Sequence, residues 1–332
     1  MKSISIIGGG SWGTALAESL AKKGFPVEIF LRKEYLAEKI NKKHLNTDYF
    51  PDHLLSDKIT ATTSMKRLLD NGQFIFVAVP TQALSRVINR ATPYIKNDRI
   101  IISTAKGIEE NSFKRNSEII KEAGFENVVV LSGPTHSEEV IKGLPSAAVT
   151  ACSNLTVAEK VQKLLMSQSF RLYTSDDVIG VELAGAIKNI IAIASGTATG
   201  LGFGDNTRAA LVTRGLAELR RFGSYFGGKK LTFSGLAGLG DLVVTCSSQK
   251  SRNFRCGQLI ATGFSAEEAQ KKISQVIEGI KTTRAVYKMQ KKYNFDFELP
   301  ITVQIYKVLF SQKSPLQAVN ELMEREPKSE LE

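Results

Sequence analysis

The sequence predicts an α/β chain, with a doubly wound, mostly parallel sheet followed by an all-α C-terminal domain. Three observations carry this. A strand runs straight into a glycine-rich turn and a helix within residues 4–21. Apolar runs and helix-like segments then alternate to about residue 175. Beyond that point the strand pattern does not return. Alternation demands parallel strands, because each crossover helix carries the chain back to the same end of the sheet.

The first element is the apolar run Ile4-Ser5-Ile6-Ile7. Gly8-Gly9-Gly10-Ser11-Trp12-Gly13 follows, a G-x-G-x-x-G pattern, and then helix-like Thr14-Ala15-Leu16-Ala17. Each glycine has a task. Gly8 permits the tight turn, Gly10 lets the backbone approach a pyrophosphate, and Gly13 lets the helix pack closely on the strand. The helix N-terminus directs its free N–H groups at the phosphates. An ordinary strand-to-helix turn can show the same letters. The strand before and the helix after point instead to a Rossmann-type site for a nicotinamide or flavin dinucleotide.

Further strands are expected over 27–31, 74–79, 100–104, 128–131, 147–151 and 170–173, with helices at 82–89 and 117–123. In open α/β sheets the ligand lies at the carboxyl ends of strands. The segments after Pro80, Thr104 and Leu131 are therefore the places for chemistry. Helix-like patterns then cover 181–198, 207–222, 265–272, 282–292 and 301–309. The expected division is a dinucleotide-binding domain, 1–178, and an all-helical substrate-binding domain, 179–332. The tail from Glu324 is highly charged and is expected to fray.

Composition bounds the function. The 332 residues, 42% hydrophobic and 23% charged, suit a soluble protein of two domains. No stretch reads as approaching the ~18–20 apolar residues of a membrane span, so no membrane insertion is expected. The chain opens on a strand, not on a targeting segment. Cys152, Cys246 and Cys256 are an odd number without metal-type spacing, and they read as reduced thiols of a cytoplasmic protein. His44, His53 and His136 are too scattered for a metal site, so no metal is expected. The net charge of +11 is dispersed in short doublets such as Lys229-Lys230. No nucleic-acid module accompanies it. A field that attracts small anions fits the charge, and a solvated basic surface fits most of it equally well.

NAD-binding versions of the first motif carry an acid at the end of the second strand. Here that strand ends in Arg32-Lys33. A guanidinium suits the 2′-phosphate of NADP, and a solvated basic loop gives the same letters. The expectation is NADP, preferred or accepted alongside NAD.

Four segments carry groups for chemistry. Ser103-Thr104-Ala105-Lys106-Gly107 places a lysine after a strand, facing the crevice. Ser132-Gly133-Pro134-Thr135-His136-Ser137 supplies small and hydroxylic residues, as a plain turn also does. In the helix at 181–191, Lys188 stands alone among Ala, Gly and Ile, with Glu182 and Asn189 sharing a neighbouring face. A buried ammonium has a lowered pKa and can exchange protons, whereas a lysine that snorkels to the surface does neither. Finally, the glycine-punctuated stretch 235–240 ends in Asp241, and Ser251-Arg252-Asn253 follows. If that triplet opens a helix it makes a phosphate seat, and a serine cap with a surface arginine is the plainer alternative.

Taken in order along essentially the whole chain, these segments resemble the bacterial, soluble NAD(P)-dependent glycerol-3-phosphate dehydrogenase family. The stretches 201–204, 213–218 and 276–279 add to the likeness. The resemblance implies reversible reduction of dihydroxyacetone phosphate to sn-glycerol 3-phosphate, feeding glycerophospholipid synthesis, and a possible homodimer. It also implies roles. Ser11, Trp12, Arg32, Ser137, Val276 and Glu278 match cofactor positions. Lys106 and Arg252 match positions near both cofactor and substrate. Gly133, Thr135, Asp241, Ser251 and Asn253 match substrate positions, and Lys188 matches the proton acceptor. Trp12 stands where Tyr or Phe also occurs, and Ser137 where the family often has Ala. Two other readings stay open at this point. One is a related reductase of a ketopantoate-like or hydroxyacid substrate, for which the phosphate-binding cations are superfluous. The other is a non-catalytic dinucleotide sensor, for which Lys188 with Asp241 is superfluous.

Overall fold

The computed structural model describes residues 3–70, 72–96, 98–327 and 329–330. The described residues form ten strands: β1 (Ser3–Ile7), β2 (Val27–Phe30), β3 (Leu45–Asn46), β4 (Phe50–Leu54), β5 (Ile59–Thr62), β6 (Gly72–Val77), β7 (Ile100–Ser103), β8 (Val128–Ser132), β9 (Ser146–Ala151) and β10 (Phe170–Ser175). Eight form one sheet in the order β10-β9-β8-β7-β6-β1-β2-β5, while β3 and β4 make a separate hairpin. Every neighbouring pair in the large sheet is parallel except β8 with β9. The mostly parallel sheet expected from the sequence is thus present. The edge strand β5 and the hairpin were not anticipated, because Ile-Thr-Ala-Thr and Phe-Pro-Asp-His-Leu carry no apolar run like those of the other strands.

Side chains alternate between the two faces, and both faces are covered. Ile4, Ile6, Phe74 and Phe76 pack with Leu16 and Leu20 of helix Ser11–Lys22 and with Val161 of helix Leu155–Leu165. Ile7, Ile75, Val77 and Ile101 pack with Leu84 and Ile88 of helix Thr81–Ala91 and with Ile120 of helix Asn116–Glu122. Burial on both faces explains why these strands read as nearly unbroken apolar runs. From β1 the chain builds outward to β2 and β5 on one side, and from β6 to β7 and β8 on the other. A crevice opens where the order reverses, beyond the carboxyl ends of β1 and β6.

The second half is helical. Its axis is the central helix Val178–Gly200, against which Asp205–Tyr225, Asp241–Ser247, Arg252–Ala261 and Glu278–Tyr293 pack. The Asp177 carboxylate caps the central helix, accepting from Gly180 N at 2.8 Å. Its other oxygen accepts from Lys229 N and Thr232 Oγ1 at 2.8 and 2.6 Å. This helix corrects one expectation. Its 23 residues and mean hydropathy of 1.6 are enough, by length and composition, to cross a membrane. Nearly all of that apolar window is buried inside the protein, as expected of a helix that is hydrophobic all round and forms a core.

Candidate functional site

The crevice widens into a cleft of about 1640 Å³ between the sheet's carboxyl edge and the helical half. Every residue assigned to the site by the glycine motif or by the resemblance lines it except Gly13 and Gly133. Those two stand behind its wall. A Cβ on Gly13 would lie 1.9 Å from Gly8 O, and one on Gly133 would lie 2.8 Å from Ala148 Cα. Gly8 itself has a φ of 116° and leaves no room for a Cβ, which would lie 2.5 Å from Ala78 O. Gly9, an unspecified position of the motif, is also closely packed, but a Cβ there would meet the end of a side chain, Leu31 Cδ2, at 2.0 Å.

The end of the cleft beside β1 fits a dinucleotide. Helix Ser11–Lys22 begins at Gly10 with no side-chain cap and no acid in its first turn. Its first N–H groups are therefore open to a diphosphate, and the helix dipole favours one. A Cβ on Gly10 would meet only the Tyr49 ring, at 4.0 Å, so the space over the turn is clear. Trp12 packs from the first turn against the sheet core. At the end of β2 the two basic residues part. Lys33 Nζ is 2.7 Å from the Asp48 carboxylate, which also accepts from Tyr35 Oη at 2.7 Å. Arg32 is exposed on the cleft, with no ion pair or hydrogen bond among the described residues. Of the two, Arg32 is the one left open toward the cleft.

The floor of the other end joins both halves of the chain. Lys188 projects from the central helix, 5% exposed, and its ammonium donates to Asp241 Oδ1 at 2.8 Å and to Thr245 Oγ1 at 2.7 Å. Lys106, on the loop after β7, donates to the other oxygen, Asp241 Oδ2, at 2.8 Å and to Gly133 O at 2.8 Å. One carboxylate thus holds two ammoniums and the floor stays positive. Residues 236–240 form a π-type turn that leads into helix Asp241–Ser247 and sets Asp241 in its first turn. Such wide turns recur at functional sites. Thr135 Oγ1 donates to Gly133 O at 3.1 Å. Ser251 caps helix Arg252–Ala261, its hydroxyl accepting from Phe254 N at 3.2 Å. The triplet does open a helix, so the seat and the serine cap are the same structure.

Burial pushes the Lys188 ammonium down to about 8, with Lys106 adding to the shift and Asp241 opposing it. Burial alone would raise Asp241, but the two ammoniums overcome it and hold the carboxyl below its ordinary range. Burial pushes Glu278 up to about 7, opposed by the Thr81 N–H, which donates to Oε1 at 3.0 Å, and by the Arg252 charge. Its Oε2 is buried without a partner among the described residues. His136 is held below its ordinary value by burial and by the charge of Lys188, which favours its neutral form. Ser137 begins a short helix on the same wall, its hydroxyl donating to Glu138 at 3.2 Å. Val276 is exposed opposite.

Three details differ from the sequence reading. Glu182 does not face the site; it accepts from Ser117 N, Ser117 Oγ and Arg115 Nη1 at 2.8, 2.5 and 2.9 Å. Asn189 does not touch Lys188. Its Nδ2 donates to Lys106 O at 2.9 Å, and its Oδ1 accepts from Asn253 Nδ2 at 2.9 Å. Asn253 Oδ1 in turn accepts from Gly279 N at 2.9 Å. One residue along a helix is about 100° of rotation, enough to send Lys188 and Asn189 to different partners. The third is Thr245, overlooked although it follows Asp241 by one turn, the spacing that puts two side chains on one helix face.

Two family profiles match the chain. The N-terminal profile of NAD-dependent glycerol-3-phosphate dehydrogenase covers residues 3–158, and the C-terminal profile covers 177–320. A glycerol-3-phosphate dehydrogenase [NAD(P)+] from Halothermothrix orenii is 55% identical, over 99% of this chain and 96% of its own length. One from Clostridium acetobutylicum is 46% identical, over 99% of each. The solved structure of glycerol-3-phosphate dehydrogenase from Coxiella burnetii has a TM-score of 0.93 and 39% identity, covering 98% of this chain and 99% of its own.

Proposed function

The chain belongs to the NAD-dependent glycerol-3-phosphate dehydrogenase family, and on that premise we propose that Lys188 is the proton donor and acceptor of its reaction. The reaction is the reversible NAD(P)H-dependent reduction of dihydroxyacetone phosphate to sn-glycerol 3-phosphate. Identity over the full length sets aside a ketopantoate-like or hydroxyacid reductase and a non-catalytic sensor.

One observation carries the assignment of Lys188: its buried ammonium shares Asp241 with Lys106 on the floor of the cleft. The substrate is a dianion, so its site needs cations and oriented N–H groups. Lys106, Arg252 and the N-terminus of helix Arg252–Ala261 supply them, with Thr135, Ser251 and Asn253 on the same wall and Gly133 O behind it accepting from Lys106 and Thr135. Gly8, Gly10, Ser11, Trp12 and Gly13 would hold the pyrophosphate and Arg32 a 2′-phosphate. Lys106, Ser137, Arg252, Val276 and Glu278 would border the nicotinamide half. The chemistry that bound NAD(P)H supplies is a hydride for the ketone carbon. The ketone oxygen then gains negative charge, and Lys188 stabilises that charge and donates a proton to it. Asp241 and Thr245 hold the lysine for this step. In the reverse direction neutral Lys188 takes the proton from the hydroxyl.

A domain boundary at 178/179 is part of this reading, supported by the end of β10 at Ser175 and the start of the central helix at Val178. Assembly as a homodimer and a cytoplasmic location rest on the family alone. The deciding experiment is NADPH oxidation followed with dihydroxyacetone phosphate, and with ketopantoate as the control. Turnover with the phosphate ester alone is expected; turnover with ketopantoate alone would sink the reading.

A further inference from the structure

Lys106 and Lys188 arrive from opposite halves of the molecule, yet both ammoniums meet one carboxylate. The backbone of Lys106 must therefore be fixed against the central helix. The carbonyls on either side of it, Ala105 O and Gly107 O, accept from the same amide, Asn116 Nδ2, at 3.1 and 3.3 Å. The carbonyl between them, Lys106 O, accepts from Asn189 Nδ2 at 2.9 Å. Asn116 is 1% exposed. Only the NH₂ end of an amide can face two carbonyls, so its orientation is settled by its neighbours. Its Oδ1 is then buried without a partner among the described residues, a cost that a space-filling apolar residue would not carry.

The residues flanking Asn116 reach the other lysine's helix. The chain leaves Lys106, turns, and comes back through a bridge between Ile108 and Arg115. Arg115 and Ser117 then grip Glu182, which lies in the same helix as Lys188. Asn116 sits between these two anchors and holds the Lys106 loop on its other side.

We propose that Asn116 is a positioning residue for the dehydrogenase reaction: by clamping the peptide carbonyls around Lys106 it sets the distance between the two active-site ammoniums. It thereby controls both the hold on the anionic substrate and the protonation of Lys188. The proposal rests on the roles of Lys106 and Lys188 given above. The charged and titratable groups facing Lys188 are Asp241 and Cys246 from helix Asp241–Ser247, Lys106 from the loop after β7, and His136 from the loop after β8. When Lys106 moves away, Lys188 loses a like charge while Asp241 remains, so its protonated form is favoured and its pKa rises.

The test is Asn116→Ala, compared with the wild-type enzyme in the direction of ketone reduction. The KM for dihydroxyacetone phosphate is expected to rise by about tenfold, the upper end of what one net hydrogen bond contributes. The alkaline limb of the kcat/KM profile is expected to move to higher pH. Thermal melting is measured in parallel. A lower Tm with KM and pH limb unchanged makes Asn116 merely structural and overturns the proposal. Asn116→Ser keeps one hydroxyl donor and should fall between the two; if the alanine variant does not fold, the serine variant decides on the same two quantities. Lys106→Met separates the proposal from its premise. An unchanged KM in Lys106→Met removes the premise. A raised KM there with none in Asn116→Ala removes only the proposal.

Discussion

A buried ammonium that shares one carboxylate with a second ammonium titrates within the range where enzymes work, and Lys188 at about 8 is such a group. As proton donor it must be charged, so reduction should decline as pH rises through about 8, while the reverse oxidation should rise over the same interval. Parallel pH profiles of the two directions check this; limbs that run the same way would remove Lys188 from the proton transfer. Lys188→Ala should lower kcat by ~10²–10⁴-fold, the usual cost of losing an acid–base group. NADPH should still bind to that variant, as fluorescence titration would show. At the other end of the cleft Asp48 occupies Lys33 and leaves Arg32 free. Arg32→Ala should therefore weaken NADPH binding by ~10-fold or more, the scale of a charged hydrogen bond, and leave NADH binding nearly unchanged. Calorimetry with both cofactors tests it, and equal losses for the two would mean that Arg32 does not read the 2′-phosphate.

Two helices owe their separation to glycines. A Cβ on Gly196 of the central helix would lie 1.9 Å from Phe254 O, and one on Gly257 would lie 2.1 Å from Ile193 O. The backbones of Val178–Gly200 and Arg252–Ala261 therefore touch, and the second helix carries Ser251, Arg252 and Asn253 at its start. Gly257→Ala must push the helices apart, at a cost of ~1–3 kcal/mol for overpacking. It should also raise the KM for the phosphorylated substrate, because the seat moves with its helix. Ser251→Ala removes the cap, at a cost of ~1 kcal/mol, and takes one hydroxyl from the proposed substrate wall without that shift in packing. Melting curves and KM values for the two variants distinguish the effects. These contacts were not legible in the sequence: a glycine in an apolar helix does not say which neighbour comes close. The helices were legible, because their apolar period extends over many residues, as at 207–222 and 301–309. Helix Leu155–Leu165 was not among the helices named from the sequence, although Val157, Ala158, Val161, Leu164 and Leu165 recur at a helical period; strand β5, Ile-Thr-Ala-Thr, has too few apolar residues to stand out.

For the molecule as a whole, the net charge of +11 acts on a dianionic substrate. Long-range attraction should speed capture, so kcat/KM for dihydroxyacetone phosphate should fall as salt rises from ~0.05 to ~0.5 M, where the screening length shortens to a few ångströms. A flat dependence would mean that the surface charge plays no part in capture. The sequence by itself determined the sheet-then-helices plan, the dinucleotide turn at Gly8–Gly10–Gly13 and the set of polar residues that meet in one cleft. Those are properties of local pattern: glycines spaced for a turn between a strand and a helix, β-branched runs where both sheet faces are covered, lone charges in apolar helices. What only the tertiary structure decided is which charges share a partner. Asp241 lies 53 residues from Lys188 and 135 from Lys106, so no spacing rule could have joined the three. Nor could it have turned Glu182 away from the site, or given Asn116 the carbonyls on either side of Lys106. Hydrogen bonds of that kind depend on where two packed halves bring their loops, and that is set by the core and not by neighbours along the chain.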